Sequence, residues 1–258
     1  MSQYQKTAVA PTLQTKVTHP SDGLRAPGLL GRSPLIGWVM VLLGSIIFIF
    51  LAISLQTHSP ILQIDTQIDN SLHAIALQSP PLIVDIMIAG FYVGEQVIVA
   101  IGALLVVYFL VKRYWSELFM ILIAWGGEGG IWLVLAQYFN RTRPHFQTPV
   151  WHLMTAPGFP SGHSFATVMC YGLLAYMIVP KLHSRGWKIA VIVTAILIML
   201  YVGFSRVFIG DHYPTDVLSG YALGIAWSGL VYTSVEIIAQ RHQKRQALAH
   251  PRQEAAKS

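Results

Sequence analysis

The sequence is poor in charged residues and in cysteine. Asp, Glu, Lys and Arg make up only 11% of its 258 residues, whereas a soluble domain usually carries about 25%. That shortage excludes an ordinary water-soluble globular domain. The single cysteine, Cys170, excludes an intrachain disulfide framework. A cleavable signal pattern is also missing, so we expect the first apolar stretch to stay in the protein as an anchor.

Long hydrophobic runs take the place of the missing charge. Hydrophobic residues form 54% of the chain, and the mean hydropathy is +0.54. A membrane-spanning helix needs about 20 mostly apolar residues. Six segments meet or approach that length: 35–55, 92–111, 118–139, 165–179, 189–204 and 217–239. We therefore predict an all-α integral membrane bundle of six transmembrane helices in residues 34–240, with a flexible tail at 1–33 and a basic tail at 241–258.

The basic residues are sorted by loop, as the positive-inside rule requires. With both termini in the cytoplasm, 14 of the 17 Lys and Arg residues lie on the cytoplasmic side. The three exceptions are Arg141, Arg143 and Arg206. The net charge of +6 thus reflects membrane topology, and we expect no nucleic-acid partner. The three outer arginines become candidates for function.

The connection between the first two spans has its own helical pattern. Apolar residues recur at spacings of three and four, with aspartates between them: Ile61, Ile64, Ile68, Leu72 and Ile75. We predict an amphipathic helix on the outer side. Two placements stay open, one in the membrane interface beside the site and one packed over the bundle as a lid.

Three short motifs hold most of the chemically versatile side chains. They are Arg143-Pro144, then Pro160-Ser161-Gly162-His163, then Ser205-Arg206 followed by His212 and Asp216. Each lies at an odd-to-even connection between predicted spans, and all such connections face the same side. We therefore expect the motifs to meet in one outer site.

The individual residues suit the binding of an anion. Gly162 allows close backbone approach, and a helix that starts there offers free N–H groups to an anion. Ser161 suits either a helix cap or a donor to a phosphate oxygen. If the sixth span begins at His212, Asp216 lies one helical turn after it, and its carboxylate can orient that imidazole. For Ser161 and Asp216, a plain capping role is the simpler interpretation.

A metal site is the minority interpretation of the same residues. The donors would be His163, His212, Asp211 and Asp216. Two arginines beside them favour an anion over a cation. We expect no metal and no cofactor.

Taken together, the motifs resemble those of the type 2 phosphatidic acid phosphatase family, which shares its site with glucose-6-phosphatase and the vanadium haloperoxidases. The family pattern is Lys-x6-Arg-Pro, then Pro-Ser-Gly-His, then Ser-Arg-x5-His-x3-Asp. The resemblance covers roughly residues 92–239. It implies a six-helix membrane bundle with a metal-independent site at the outer face.

The resemblance also implies a role for each matching residue. His212 would attack phosphorus to form a phosphohistidine, Asp216 would orient it, and His163 would protonate the leaving oxygen. The phosphoryl oxygens would be held by Arg143, Arg206, Ser161 and the Gly162 amide.

One position departs from the family pattern. The family lysine falls seven residues before Arg143, where this chain has Ala136. Gln137 beside it and Arg141 are the auxiliary candidates for phosphate binding. Loss of one charge-assisted hydrogen bond costs about 1.5–3 kcal/mol, so we expect weaker phosphate binding or slower turnover.

The implied function is hydrolysis of a lipid phosphate or diphosphate in a bacterial cytoplasmic membrane. Substrates that the family suggests are undecaprenyl diphosphate, phosphatidylglycerol phosphate and phosphatidic acid. A non-catalytic lipid-phosphate binder or a transporter with a degenerate site is the alternative. A haloperoxidase shares the motifs, but such relatives are usually soluble and need the lysine.

Overall fold

A computed structural model describes residues 34–151 and 155–255 of the chain, and these fold entirely as helices and connecting segments. Eight α-helices follow one another in the described ranges: α1 (Leu35–Gln56), α2 (Ile61–Gln78), α3 (Pro81–Gly94), α4 (Gln96–Lys112), α5 (Trp115–Phe139), α6 (Gly162–Ile178), α7 (Arg185–Phe208) and α8 (Pro214–Ala255). A 3-10 turn, Val179–Lys181, follows α6.

Six helical stretches in the described ranges are long and apolar enough to cross a membrane, and one of them consists of α3 together with α4. They are Leu35–Gln56, Pro81–Lys112, Trp115–Phe139, Gly162–Lys181, Arg185–Phe208 and Pro214–Ile238. The prediction of an all-α bundle with six spans is confirmed, and the chain is an integral membrane protein. The fourth and fifth spans are longer than the apolar segments 165–179 and 189–204 that the sequence predicts. Motif residues lengthen both helices, Gly162 and His163 in the fourth span and Ser205 and Arg206 in the fifth.

The tails lie largely beyond this description. The predicted flexible tail at 1–33 falls outside the described residues. The basic segment from residue 241 continues α8 as helix as far as Ala255, and its place as a cytoplasmic tail stays a prediction.

The second span is broken at one residue. Glu95 separates α3 from α4 and has φ −132° and ψ −74°. Gly94, just before the break, allows close packing, because a Cβ there would lie 2.7 Å from Val202 and 3.1 Å from His163. The break and the missing side chain bring the second span against α6 and α7 beside the motifs.

Helices α6 and α8 form the interior of the bundle. Phe165, Met169 and Leu173 of α6 are fully buried. Helix α8 packs closely against α1, where a Cβ on Gly44 would lie 2.5 Å from the carbonyl oxygen of Ala222. The two helices that begin in the second and third motifs are therefore packed against each other and against other spans.

Helix α2 turns its polar side toward the protein. Its buried residues form one stripe at spacings of three and four: Asp65, Asp69, His73 and Ala76. The isoleucines face outward, since Ile64, Ile68 and Ile75 are 40–54% exposed. The prediction of an amphipathic helix holds, and the side that contacts the bundle is the one that carries carboxylates.

Candidate active site

The three motifs meet at one end of the bundle. Backbone hydrogen bonds hold them there: Ser161 N–H donates to the Asp216 carbonyl at 3.0 Å, and the N–H groups of Asp211 and His212 donate to the Arg206 carbonyl at 2.9 and 3.2 Å. The loop after α5 adds Arg143, whose Nη1 lies 3.2 Å from His212 Nε2. The structure thus brings together the arginines and histidines that the sequence singles out.

His212 is enclosed and uncharged. Its ring is 1% exposed, and burial, followed by the nearby charge of Arg143, lowers its pKa to about 3. A guanidinium only donates hydrogen bonds, so the contact with Arg143 requires a lone pair on Nε2 and places the ring proton on Nδ1. His212 therefore presents an unprotonated Nε2 at neutral pH.

Asp216 lies beside the other ring nitrogen. Its Oδ2 is 3.6 Å from His212 Nδ1, a distance longer than a hydrogen bond. The same oxygen accepts the Tyr213 N–H at 3.0 Å, and Oδ1 lies 2.5 Å from Arg141 Nη1. The predicted pair is adjacent, and the carboxylate is fixed mainly by groups other than the histidine.

Arg141 is engaged by carboxylates. Besides Asp216, its Nη2 donates to Asp65 Oδ2 at 2.9 Å, and its Nη1 donates to the Thr215 hydroxyl at 2.8 Å. Asp65 in turn accepts the Thr215 N–H at 2.9 Å. The structure therefore assigns Arg141 to holding Asp216, which differs from the auxiliary phosphate contact that the sequence suggested.

Sequence reasoning missed Asp65. Its only signal was the recurrence of aspartates on one face of the amphipathic helix. The amphipathic pattern predicts the helix but leaves its placement open, so it does not connect Asp65 to the motif residues.

Arg143 and Arg206 share a carboxylate. Asp211 Oδ1 lies 2.6 Å from Arg143 Nη1, and its Oδ2 lies 3.4 Å from Arg206 Nη1. The Arg143 Nε also donates to the Ala156 carbonyl at 2.7 Å. Sequence reasoning considered Asp211 only as a metal ligand and missed this bridge.

Arg206 has unused donors. The residue is fully buried, and its guanidinium carbon lies 5.0 Å from the centre of the Phe91 ring. Its Nε and Nη2 are buried and have no hydrogen-bond partner among the described residues. Since an unpaired buried donor costs free energy, these two groups are suited to an anionic ligand.

His163 occupies the first turn of α6. Its ring lies 4.9 Å from that of Phe91, and its Nε2 is 3.3 Å from Glu95 Oε2, without the alignment of a hydrogen bond. The signal for Glu95 was an acid within an apolar segment, which is a mark of function. Its side chain is 47% exposed, and the helix break that places it beside His163 has no sequence signature.

Ser161 and Gly162 shape the start of α6. Ser161 Oγ accepts the Ser164 N–H at 3.4 Å, so the capping role is present. A Cβ on Gly162 would lie 2.9 Å from Trp132 Nε1, whose N–H donates to the Pro160 carbonyl at 3.2 Å. The close approach that this glycine permits is therefore to Trp132 of α5.

The position of the family lysine faces the interior. Ala136 is 2% exposed, whereas Gln137 lies on the exposed side of α5. The structure does not bring Gln137 to the motif residues.

Among residues 34–151 and 155–255, no group of three His, Cys, Asp or Glu side chains is placed to hold a metal ion.

Comparison with known proteins identifies the family. The model of the PAP2 superfamily matches residues 113–238. Phosphatidylglycerophosphatase B of Bacillus subtilis is 36% identical over 149 residues, which are 57% of this chain and 70% of the relative. The chain belongs to the PAP2 superfamily.

Further relatives agree with this membership. The crystal structure of a transmembrane PAP2 type phosphatidylglycerolphosphate phosphatase from Bacillus subtilis is similar with a TM-score of 0.63 and 31% identity, covering 76% of this chain and 97% of that one. An undecaprenyl-diphosphatase of Sulfolobus acidocaldarius is 29% identical over 56% of this chain and 66% of its own length. Helix α2, which supplies Asp65, lies outside the residues that the PAP2 model matches.

Proposed function

We propose that this PAP2 protein is a membrane phosphatase that hydrolyses phosphate or diphosphate monoesters of lipids through a phosphohistidine intermediate. One observation carries the proposal: a neutral His212 directs the lone pair of Nε2 toward the guanidinium group of Arg143, at 3.2 Å. That arrangement offers a nucleophile and charge stabilisation for one phosphoryl group.

In the first step, His212 Nε2 attacks phosphorus, and the bond from phosphorus to the lipid oxygen breaks. His163 donates the proton that the leaving oxygen needs. Arg143, Arg206, the Ser161 hydroxyl and the Gly162 N–H hold the phosphoryl oxygens. Asp216, 3.6 Å from Nδ1, stabilises the positive charge that the ring acquires.

In the second step, water attacks the phosphohistidine. His163 accepts a proton from that water, the P–N bond breaks, and inorganic phosphate leaves. His212 returns to its neutral form, and His163 is again protonated for the next cycle. All atoms come from the substrate, water and the chain.

The proposed substrates are lipids whose head enters the site while the tail stays in the bilayer. Relatives named as acting on phosphatidylglycerophosphate and undecaprenyl diphosphate support phosphatidylglycerol phosphate and undecaprenyl diphosphate as candidates. The family resemblance adds phosphatidic acid. The distribution of Lys and Arg supports cytoplasmic termini and a site on the outer face, and we propose a bacterial cytoplasmic membrane as its location.

The test is phosphate release from these three lipids by the purified protein in detergent micelles. We expect His212→Ala to abolish release. His183→Ala is a matched control, because His183 is exposed in the segment between α6 and α7, at the opposite end of α7 from Arg206. Equal release by wild type and His212→Ala would refute the proposed nucleophile, and binding of the lipids without release by wild type would favour a non-catalytic binder.

A further inference from the structure

The Asp211 carboxylate lies where a ligand of the arginines would lie. Its Oδ1 is 2.6 Å from Arg143 Nη1 and its Oδ2 is 3.4 Å from Arg206 Nη1. The side chain is buried. Two oxygens of one anionic group thus span two guanidiniums, as two oxygens of a phosphoryl group would.

The same carboxylate is close to the nucleophile. Asp211 Oδ2 lies 3.8 Å from His212 Nε2. A phosphorus atom ready for attack lies about 3–3.5 Å from the attacking nitrogen, so its oxygens would need the space that this carboxylate fills. Two anions in contact also repel each other strongly in a buried site.

Arg206 is equipped to exchange one anion for another. Its contact with Asp211 uses Nη1, while Nε and Nη2 are buried without a hydrogen-bond partner in the described part of the chain. A phosphoryl group has more acceptor oxygens than a carboxylate, so it can engage these donors and Arg143 together.

We infer that Asp211 is an internal occupant of the phosphoryl site, which its carboxylate leaves when a phosphoryl group enters. The inference rests on the proposed function for the location of that group. Its consequence is selectivity: an anion binds only when it gains more from the two guanidiniums than the carboxylate does. Acetate is therefore rejected, whereas a phosphoryl dianion is admitted.

The experiment measures orthovanadate and acetate binding to the full chain in detergent micelles by isothermal titration calorimetry, without substrate. The neutral variants Asp211→Asn and Asp211→Ala should bind orthovanadate at least about tenfold more tightly than wild type, because the competing charge is gone. They should also bind acetate, which wild type should not. Asp211→Glu retains the charge and should behave as wild type does.

The matched control is Asp85→Asn, which removes one negative charge from an exposed position of α3 and should leave vanadate affinity unchanged. Melting curves without ligand show whether each variant is folded, and either neutral variant alone suffices for the test. Unchanged or weaker vanadate binding by a folded neutral variant would overturn the inference and would assign Asp211 to positioning the arginines.

The inference and the proposed function fail separately. Binding requires no turnover, so tighter vanadate binding in a protein that releases no phosphate would contradict only the proposed function. Normal phosphate release together with unchanged vanadate affinity in Asp211→Asn would contradict only the inference.

Discussion

Two groups of buried side chains lie at the same end of the bundle, and their charges are balanced in opposite ways. The phosphoryl cluster has two guanidiniums for one carboxylate and consists of Arg143, Arg206, Asp211 and His212. The support cluster has one guanidinium for three carboxylates and consists of Asp65, Asp69, Arg141, Thr215 and Asp216.

The difference lies in what remains unpaired. In the phosphoryl cluster, two donors of Arg206 are buried without partners. In the support cluster, Arg141 is divided between Asp65 and Asp216, and the unpaired atom is an acceptor, Asp69 Oδ1. A surplus of buried donors suits an incoming anion, whereas a guanidinium enclosed by carboxylates fixes the elements that carry them. The two arginines of the loop after α5 thus have different tasks, although they are two residues apart.

The largest effect on stability should come from breaking the support cluster. Arg141→Met leaves Asp65 and Asp216 buried without their cation, and the loss of one partner of a buried pair costs about 3–5 kcal/mol. We expect a marked fall in the melting temperature of the purified protein in detergent. A melting temperature equal to that of wild type would show that α2 and α8 do not depend on this arginine.

The matching change in the phosphoryl cluster should affect catalysis more than stability. Arg206→Met removes a buried cation that is only partly compensated, so its melting temperature should stay near that of wild type. Loss of a charge-stabilising donor should lower kcat by about 100- to 1000-fold. The assignment of different roles to the two clusters would be contradicted if Arg206→Met is unfolded, or if Arg141→Met and Arg206→Met lose stability equally.

A smaller effect is expected where the family lysine is absent. Ala136→Lys adds a cation from the interior side of α5, and one charge-assisted hydrogen bond would strengthen vanadate binding by about tenfold. Gln137→Lys is the control, because Gln137 lies on the exposed side of the helix. Equal vanadate inhibition constants for Ala136→Lys and wild type would mean that residue 136 does not line the pocket.

The smallest effect concerns pH. Burial, followed by the charges of Asp216 and Asp65, raises the pKa of Asp69 to about 7. The folded protein therefore holds a proton that the unfolded chain releases near pH 4, and stability falls as the pH rises from about 4 to 7.

Asp69→Asn removes this dependence. Its melting temperature should equal that of wild type near pH 4 and exceed it by a few degrees at pH 8. A variant that is less stable than wild type at pH 8 would contradict the assignment. Thermal unfolding in detergent at the two pH values makes the measurement.

The parts that could be predicted from the sequence depend on local patterns. Six apolar segments reveal six spans. Connections from an odd to an even span all lie on the same side of the membrane, and these connections carry Arg143, His163, Arg206 and His212. The spacing of four residues also places Asp216 near His212, although α8 begins only at Pro214. These features need no knowledge of how the helices pack.

The remaining parts depend on tertiary packing. Arg141 contacts Asp65 across 76 positions of sequence, and no spacing rule connects them. The inward direction of the polar side of α2 follows from that contact, since a membrane protein can expose isoleucines to lipid. The approach of Glu95 to His163, at 3.3 Å, follows from a helix break that only the neighbouring helices explain.

The central claim is that His212 forms the covalent intermediate, and locating that phosphate tests it most directly. The substrate would be the lipid from which phosphate is released fastest. Reactions of wild type, His212→Ala and His183→Ala would be quenched in alkali during turnover, and the phosphorylated peptide would be identified by mass spectrometry. We predict phosphate on His212 in wild type and in His183→Ala, and none in His212→Ala. Turnover without covalent phosphate on His212, or with phosphate on another residue, would contradict the account.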